Sequence, residues 1–190
     1  MRYIYFGKNV RCSVLLPSLI CLWLTYQDRG TALSALFAVI IHETAHLVSG
    51  ALLRKKPALI TLSPAGADIR YKGVLSYRDD IITALAGPAA NVVTAFLFLP
   101  LSSVFFTASL CCGLLNLIPL PCLDGGRALL SALRTTVEIT RADRINGVIN
   151  AVFLVLLYLF SVYLFFYTST NASLLILCGS VFINSYFRMT

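Results

Sequence analysis

The stretch IIHETAHLV, residues 40–48, places three ionisable side chains in the middle of a long apolar segment. His42 and His46 are the only 2 histidines of the chain, and Glu43 lies between them. Placing one charged side chain at the centre of a bilayer costs about 2.5–3.5 kcal/mol on insertion scales. Three such groups in an apolar helix therefore need a chemical reason.

The composition indicates an integral membrane protein. Hydrophobic residues make up 58% of the 190 residues, charged residues make up 12%, and the mean hydropathy is +0.85. Soluble domains carry about 25% charged residues, so a soluble globular class is excluded. We expect one membrane-embedded domain over residues 1–190. The 6 cysteines lie in or beside apolar segments without a CxxC pair, which is typical of small buried residues rather than of disulfides or metal ligands.

Apolar runs predict an all-α polytopic membrane protein with about six transmembrane helices. The predicted spans are residues 10–26, 31–53, 80–100, 102–118, 146–168 and 172–187. The first is expected to be an uncleaved span, because its end, LWLTYQDRG, lacks the small residues of a signal-peptidase site.

The basic residues are distributed unevenly along these spans. With a cytoplasmic N-terminus, every lysine and arginine of the 15 except Arg29 falls on the cytoplasmic side. We therefore expect a multi-pass protein of the cell membrane with both termini in the cytoplasm. Orientation and contact with anionic lipid headgroups account for the net charge of +7, so no nucleic-acid partner is expected.

Residues 57–78, PALITLSPAGADIRYKGVLSYR, differ from the spans around them. Short apolar runs alternate with Pro64, Gly66 and Gly73, and isoleucine, threonine and tyrosine favour extended backbone. The pattern predicts one or two strands of a membrane-associated β-hairpin at the cytoplasmic interface. A simple basic loop is the alternative. An exposed strand edge there would be able to pair with an extended peptide.

The spacing of the histidines indicates a metal site. Positions four apart share one face of a helix, so His42 and His46 point the same way and can share one ion. Zinc is commonly held by two imidazoles beside a carboxylate that accepts a proton from water, the role predicted for Glu43. The alternatives are two histidines hydrogen-bonded between helices, or a chance match to HExxH.

A catalytic zinc takes a third protein ligand and keeps one position open. Asp124 is the candidate, because it lies in NLIPLPCLDGGRALL, residues 116–130, where Pro119 and Pro121 force the chain out of regular helix. Aspartate is also a good N-cap, so a helix start at Asp124 is the structural alternative, and both roles are compatible.

A third pattern, AGPAAN at residues 86–91, is expected to open the third span. Gly87 and Pro88 would loosen or cap the helix start, and the small residues favour close helix packing. Asn91 is polar inside a span, so we expect it to bond to a neighbouring helix or to the site.

HETAH, AGPAAN and NLIPLPCLDGGR, in this order on consecutive predicted spans, resemble the site-2 protease family of intramembrane zinc metalloproteases. The resemblance covers roughly residues 31–135. It implies one Zn²⁺ per chain held by His42, His46 and Asp124, with Glu43 as general base.

The resemblance also implies a substrate and partners. Asn116 and the region of Pro119 would position the substrate backbone, and Asn91 is a further candidate for substrate binding. Members of this family cleave a membrane-associated protein near its entry into the bilayer. Besides substrate and lipid, a membrane inhibitor or recruiting partner is expected.

Within the family, a short chain with six predicted spans and no PDZ insertion is most similar to the bacterial stage IV sporulation protein FB branch. The implied substrate is a sigma-factor precursor or an anti-sigma factor, cleaved by regulated intramembrane proteolysis in a bacterial plasma membrane, with sporulation as the implied setting. That branch usually carries a C-terminal nucleotide-sensing CBS domain, and none is expected here.

A non-catalytic zinc-binding membrane scaffold and a metal transporter are the competing hypotheses. A transporter is expected to line several spans with ionisable groups, whereas Glu43 is the only charge well inside a predicted span. A degenerate protease typically lacks the glutamate or a metal ligand. Here the glutamate, Glu43, and the three candidate ligands, His42, His46 and Asp124, are all present. The sequence therefore favours a zinc metalloendopeptidase.

Overall fold

The HETAH stretch lies in the middle of a 24-residue helix, α1 (Arg29–Leu52), in a computed structural model that describes residues 3–5, 10–13, 28–63 and 66–168. Asp28 is the N-cap of the helix, and its carboxylate accepts hydrogen bonds from the backbone amides of Gly30 and Thr31. The helix ends just before Arg54, whose positive φ of 57° turns the chain toward a strand. The helix predicted over residues 31–53 is confirmed.

Two further apolar helices, α2 (Tyr77–Phe98) and α3 (Ser103–Asn116), pack against α1 and against each other. The hydroxyl oxygen of Ser76 caps α2, and that of Ser102 caps the start of α3. The helices predicted at 80–100 and 102–118 are therefore confirmed. At 14 residues, α3 is only about 21 Å long, shorter than a bilayer core.

Pro88 lies in the interior of α2, so the prediction that AGPAAN opens this helix is wrong. The helix already begins at Tyr77, directly after its cap. A proline inside a helix removes one backbone hydrogen bond. In membrane helices this is tolerated where the freed backbone is packed in protein, and Pro88 is fully buried.

A four-stranded sheet accompanies the helices, in the order β1 (Tyr3–Tyr5), β2 (Val10–Ser13), β3 (Pro57–Ser63), β4 (Gly66–Tyr71). β3 and β4 form an antiparallel hairpin, which confirms the hairpin predicted in 57–78. β2 pairs parallel with β3, and β1 pairs antiparallel with β2.

The strand β2 occupies the beginning of the first predicted span, so a helix over residues 10–13 is wrong. The reason is the parallel pairing of β2 with β3, which the Nε of Arg11 supports by donating to Thr61 Oγ1 at 2.8 Å. Residues 14–26 of that predicted span lie outside the described residues.

The chain divides into two compact units, Met1–Asn116 and Leu117–Thr190. The helices α1 to α3 and the sheet belong to the first unit. In the second, α4 (Asp124–Thr136) packs against α5 (Ile139–Thr168). α5 contains the fifth predicted span and begins earlier, while the sixth, 172–187, lies outside the described residues.

Three helices in the described part of the chain are long and apolar enough to cross a membrane: α1, α2 and Ile139–Tyr163 of α5. Six spans are thus not confirmed, because α3 is short and the first predicted span starts as a strand. The protein is nonetheless mostly helical, with a small sheet and candidate membrane helices, as its composition predicts.

Candidate metal centre

The two histidines of α1 meet across one turn of the helix, with their Nε2 atoms 3.1 Å apart. Both rings are buried, and they meet edge to face with centroids 4.7 Å apart. Two nitrogens bound to one tetrahedral zinc at about 2.0–2.1 Å would lie about 3.3 Å from each other. His42 and His46 therefore share a face at the separation that one common ion requires.

The second nitrogen of each ring contacts α2. His46 Nδ1 lies 2.7 Å from the carbonyl oxygen of Thr83. A carbonyl can only accept, so this Nδ1 carries the proton and Nε2 presents its lone pair. His42 Nδ1 lies 3.3 Å from Nδ2 of Asn91, which confirms that Asn91 bonds to a neighbouring helix. α2 thus holds both rings by Nδ1.

Gly87 lies between these two contacts on α2. Thr83, Gly87 and Asn91 are spaced four residues apart, so they share one face of the helix. A Cβ at residue 87 would collide with the imidazoles of both histidines. The packing role predicted for Gly87 is confirmed, and the groups that it packs against are the two candidate ligands.

Glu43, the predicted general base, is half-buried on α1 directly after His42, and one of its carboxylate oxygens is buried. The distance along the helix axis from His42 to Leu52, the end of α1, is about 15 Å at 1.5 Å per residue. Glu43 therefore lies in the interior of α1, away from both of its ends. A positioned carboxylate is able to accept a proton from water and release it again.

Tyr71, the last residue of β4, connects the sheet to the histidine helix. Its hydroxyl donates a hydrogen bond to the backbone carbonyl of His46 at 3.1 Å. Gly50 makes room for the tyrosine ring, because a Cβ there would collide with it. The end of the predicted hairpin is thus attached one turn beyond the histidine pair.

Asp124, the predicted third ligand, belongs to the second unit, where it is the half-buried first residue of α4. The helix start expected there is confirmed, with Leu123 rather than Asp124 at the N-cap position. A Cβ at Gly125 would collide with the carbonyl of Leu117. The loop before α4 is therefore folded closely against the helix start, and only glycine fits at that position.

Asn116 and Pro119 lie at the end of α3 and directly after it. Asn116 Nδ2 donates to the carbonyl of Cys112 at 3.0 Å, so this side chain closes its own helix. Residues 117–123, which include Pro119, form neither helix nor strand. The departure from regular helix predicted for this segment is confirmed.

The donors present in the first unit fit zinc. Neutral imidazoles coordinate through one nitrogen while the other is held by a hydrogen-bond partner, and such outer partners orient the ligand. Thr83 and Tyr71 are the contacts that the sequence reasoning missed. The four-residue spacing of Thr83 from Gly87 was a usable signal, whereas the contact of Tyr71 depends on how a strand end packs on a helix.

Comparisons with known proteins agree with this architecture. The family model described as Peptidase family M50 matches residues 101–160, the segment that contains Asn116 and Asp124. No curated protein matches the chain significantly. Among solved structures, the Site-2 Protease from Methanocaldococcus jannaschii superposes with a TM-score of 0.68 at 18% sequence identity, covering 96% of this chain and 92% of that chain. The chain therefore has the fold of that site-2 protease and resembles peptidase family M50 in the matched segment.

Proposed function

We propose that this chain is an intramembrane zinc metalloendopeptidase of the site-2 protease type, which hydrolyses a peptide bond in a membrane-associated protein near the cytoplasmic side. The observation that carries this proposal is the histidine pair of α1. Its Nε2 atoms face each other at 3.1 Å, and both rings are buried in a helix long enough to span a membrane. The site-2 protease fold and the M50 match support the same conclusion.

His42, His46 and Asp124 are proposed to hold one zinc ion. Two neutral imidazoles and one carboxylate leave the fourth tetrahedral position open, as catalytic zinc sites do. Zinc, when bound, supplies a Lewis acid that polarises the scissile carbonyl and activates water. Asp124 is chosen because it follows an irregular segment and is the first residue of α4, so its backbone is held by a helix rather than by a loop.

Glu43 is proposed as the general base. Its carboxylate would accept the proton of the attacking water and then pass it to the leaving amine. It follows His42 in the chain, so the helix that positions the ligands also positions the base.

Substrate positioning is proposed for the segment from Asn116 to Pro119. A peptide bond inside a helix is shielded by its own hydrogen bonds, so the substrate has to unwind locally before hydrolysis. Irregular backbone and the amide of Asn116 offer partners to the freed groups. The hairpin β3–β4 would hold the flanking peptide extended, because a strand edge pairs with extended chain.

The proposed substrate class is a sigma-factor precursor or an anti-sigma factor at a bacterial plasma membrane. This choice rests on the resemblance to the sporulation branch and on the cytoplasmic side on which the basic residues concentrate. A membrane partner that inhibits or recruits the enzyme is proposed for the same reason. Membrane substrates with helix-breaking residues in the cytoplasmic half of the span are the expected targets.

The proposal is tested by zinc content and cleavage measured on the same preparations. Purified protein should contain about one zinc per chain, and Asp124→Ala should contain much less. Asp143→Ala is the matched control, because Asp143 is an exposed carboxylate of the second unit that pairs with Arg134 at 2.8 Å. Glu43→Gln should keep its zinc and cleave nothing, since it retains the ligands and loses the base.

Cleavage is measured on a single-span reporter that carries a glycine–proline pair in the cytoplasmic half of its span. The same reporter with leucines at those two positions should be resistant. Retained cleavage by Glu43→Gln would refute the assigned base. Zinc flux into vesicles without cleavage would support a transporter instead of a protease. Zinc binding with neither cleavage nor flux would support a zinc-binding scaffold, and absence of zinc from the natural sequence would refute the metal site.

A further inference from the structure

Asn91 carries a buried amide in the interior of a membrane helix. The residue has no exposed surface, and its Nδ2 lies 3.3 Å from His42 Nδ1. Its Oδ1 is buried with no hydrogen-bond partner in the part of the chain that the structure describes. Buried polar atoms are almost always paired, so an unpaired amide oxygen beside a candidate ligand calls for an explanation.

The explanation lies in the tautomers of His42. A neutral imidazole that coordinates through Nε2 carries its proton on Nδ1, and this N–H needs an acceptor. His46 has such an acceptor in the carbonyl of Thr83 at 2.7 Å. For His42 the facing group is the amide of Asn91, whose NH₂ end cannot accept.

Turning that amide by half a rotation exchanges Nδ2 and Oδ1 with little change in shape, because the two ends of an amide are nearly equal in size. Oδ1 then faces His42 Nδ1–H and gains the partner that it lacks. Asn91 is able to serve either tautomer of His42, donating through Nδ2 to a bare Nδ1 or accepting through Oδ1 from a protonated one.

We propose that Asn91 is a positioning residue, whose Oδ1 accepts a hydrogen bond from His42 Nδ1–H and thereby directs Nε2 of His42 at the metal. This inference rests on the proposed zinc site and deepens it. Because the side chain is enclosed against His42, Asn91 acts through the ligand rather than by touching the substrate. A helix that carries Thr83 and Asn91 on one face would then orient both histidines.

The backbone around Asn91 is held independently of its side chain, which separates the two effects experimentally. Ser109 of α3 donates from Oγ to the backbone carbonyl of Asn91 at 3.0 Å. Ser109→Ala therefore removes a buried hydrogen bond at the same helix contact without touching either histidine. It is the control for a purely structural loss.

Zinc affinity is measured by chelator competition for Asn91→Leu, Asn91→Asp and Ser109→Ala. Leucine keeps the branched shape of asparagine and removes the acceptor, so zinc binding should weaken by about 10- to 100-fold, as losses of outer-sphere partners do. Aspartate offers an acceptor at either end and should restore most of the affinity. Ser109→Ala should bind zinc like the natural sequence.

Nitrogen-15 NMR of histidine-labelled protein reads the tautomer directly, and the chain has only 2 histidines to resolve. His46→Ala identifies the His42 signals. In the zinc-loaded natural protein His42 should be protonated at Nδ1 and coordinated through Nε2, and in Asn91→Leu this Nδ1–H should exchange faster with solvent.

The outcomes separate this inference from the proposed function. If the natural protein binds no zinc, the zinc site itself is refuted and the inference falls with it. If it binds zinc but His42 coordinates through Nδ1, only the inference is overturned. The inference alone is also overturned if Asn91→Leu binds zinc as tightly as Ser109→Ala does. If Asn91→Leu fails to fold, the tautomer of His42 in the natural protein and the zinc affinity of Asn91→Asp still decide whether Asn91 positions His42.

Discussion

Gly87 lies where α2 crosses the two imidazoles of α1, and a Cβ there would collide with both rings. Backbone and ring cannot both keep their places, so Gly87→Ala should push α2 away from the histidines. Overpacking of this kind destabilises by about 1–3 kcal/mol. We predict that purified Gly87→Ala loses most of its zinc, measured as metal content per chain.

Gly147 of α5 provides the matched control for this substitution. A Cβ at residue 147 meets nothing within 4 Å, so alanine there has open space and a better helix propensity. Gly147→Ala should therefore keep its zinc and be no less stable. If Gly87→Ala bound zinc as well as Gly147→Ala does, the close approach of α2 to the histidines would not matter for the metal.

The histidine pair was predictable because the positions of ligands four residues apart follow from helix geometry alone. Their partners were predictable only in part. Asn91 was expected to bond to a neighbouring helix or to the site, because it is polar inside a predicted span. Thr83 contributes a backbone carbonyl, for which its four-residue spacing from Gly87 is the only signal in the sequence. Contacts between helices depend on their relative rotation, which an apolar run does not specify.

At the scale of elements, the start of α1 depends on Asp28. Its carboxylate accepts from the amides of Gly30 and Thr31 at 3.0 Å each. The hydrogen bonds of Thr31 first, and then that of Gly30, hold the pKa of Asp28 below its usual 3.8. The folded state therefore favours the carboxylate, so the cap is complete above pH 3.8 and is lost as the pH falls through the lowered pKa.

We predict that the amides of Gly30 and Thr31 lose protection in acid, measured by hydrogen exchange relative to amides in the middle of α1. Asp28→Ala should lack that protection at every pH. Asp28→Asn keeps a capping oxygen without a titrating group, so its protection should not change with pH. An acid-dependent loss in Asp28→Asn as large as in the natural sequence would contradict the role of the carboxylate.

The long helices were predictable and the sheet only in part. The apolar runs of α1 and α2 are long enough to specify spanning helices, and the turn residues of 57–78 indicate the hairpin. The parallel pairing of β2 with β3 joins residues such as Arg11 and Thr61, which lie far apart in the chain. No local pattern contains that pairing, and the run from residue 10 onward looks like the start of a span.

For the whole molecule, the distribution of basic residues predicts the orientation in the membrane. The connection between β4 and α2 lies near basic residues at one end of α2, and Val74 in it is 96% exposed. The turn at the other end of α2 carries no charge, and its Leu101 is 77% exposed. The excess of basic residues predicts that the first end is cytoplasmic and the second faces outward.

This prediction is tested by single cysteines in a cysteine-free background, labelled with a maleimide that does not cross membranes. Val74→Cys should react in inverted vesicles and stay unlabelled in intact cells, while Leu101→Cys should do the opposite. At 22 residues, about 33 Å at 1.5 Å per residue, α2 is long enough for its two ends to reach opposite surfaces. Labelling of Val74→Cys in intact cells would show that the protein has the opposite orientation in the membrane. The proposed substrate side would then be external, and cytoplasmic sigma-factor precursors would be excluded as substrates.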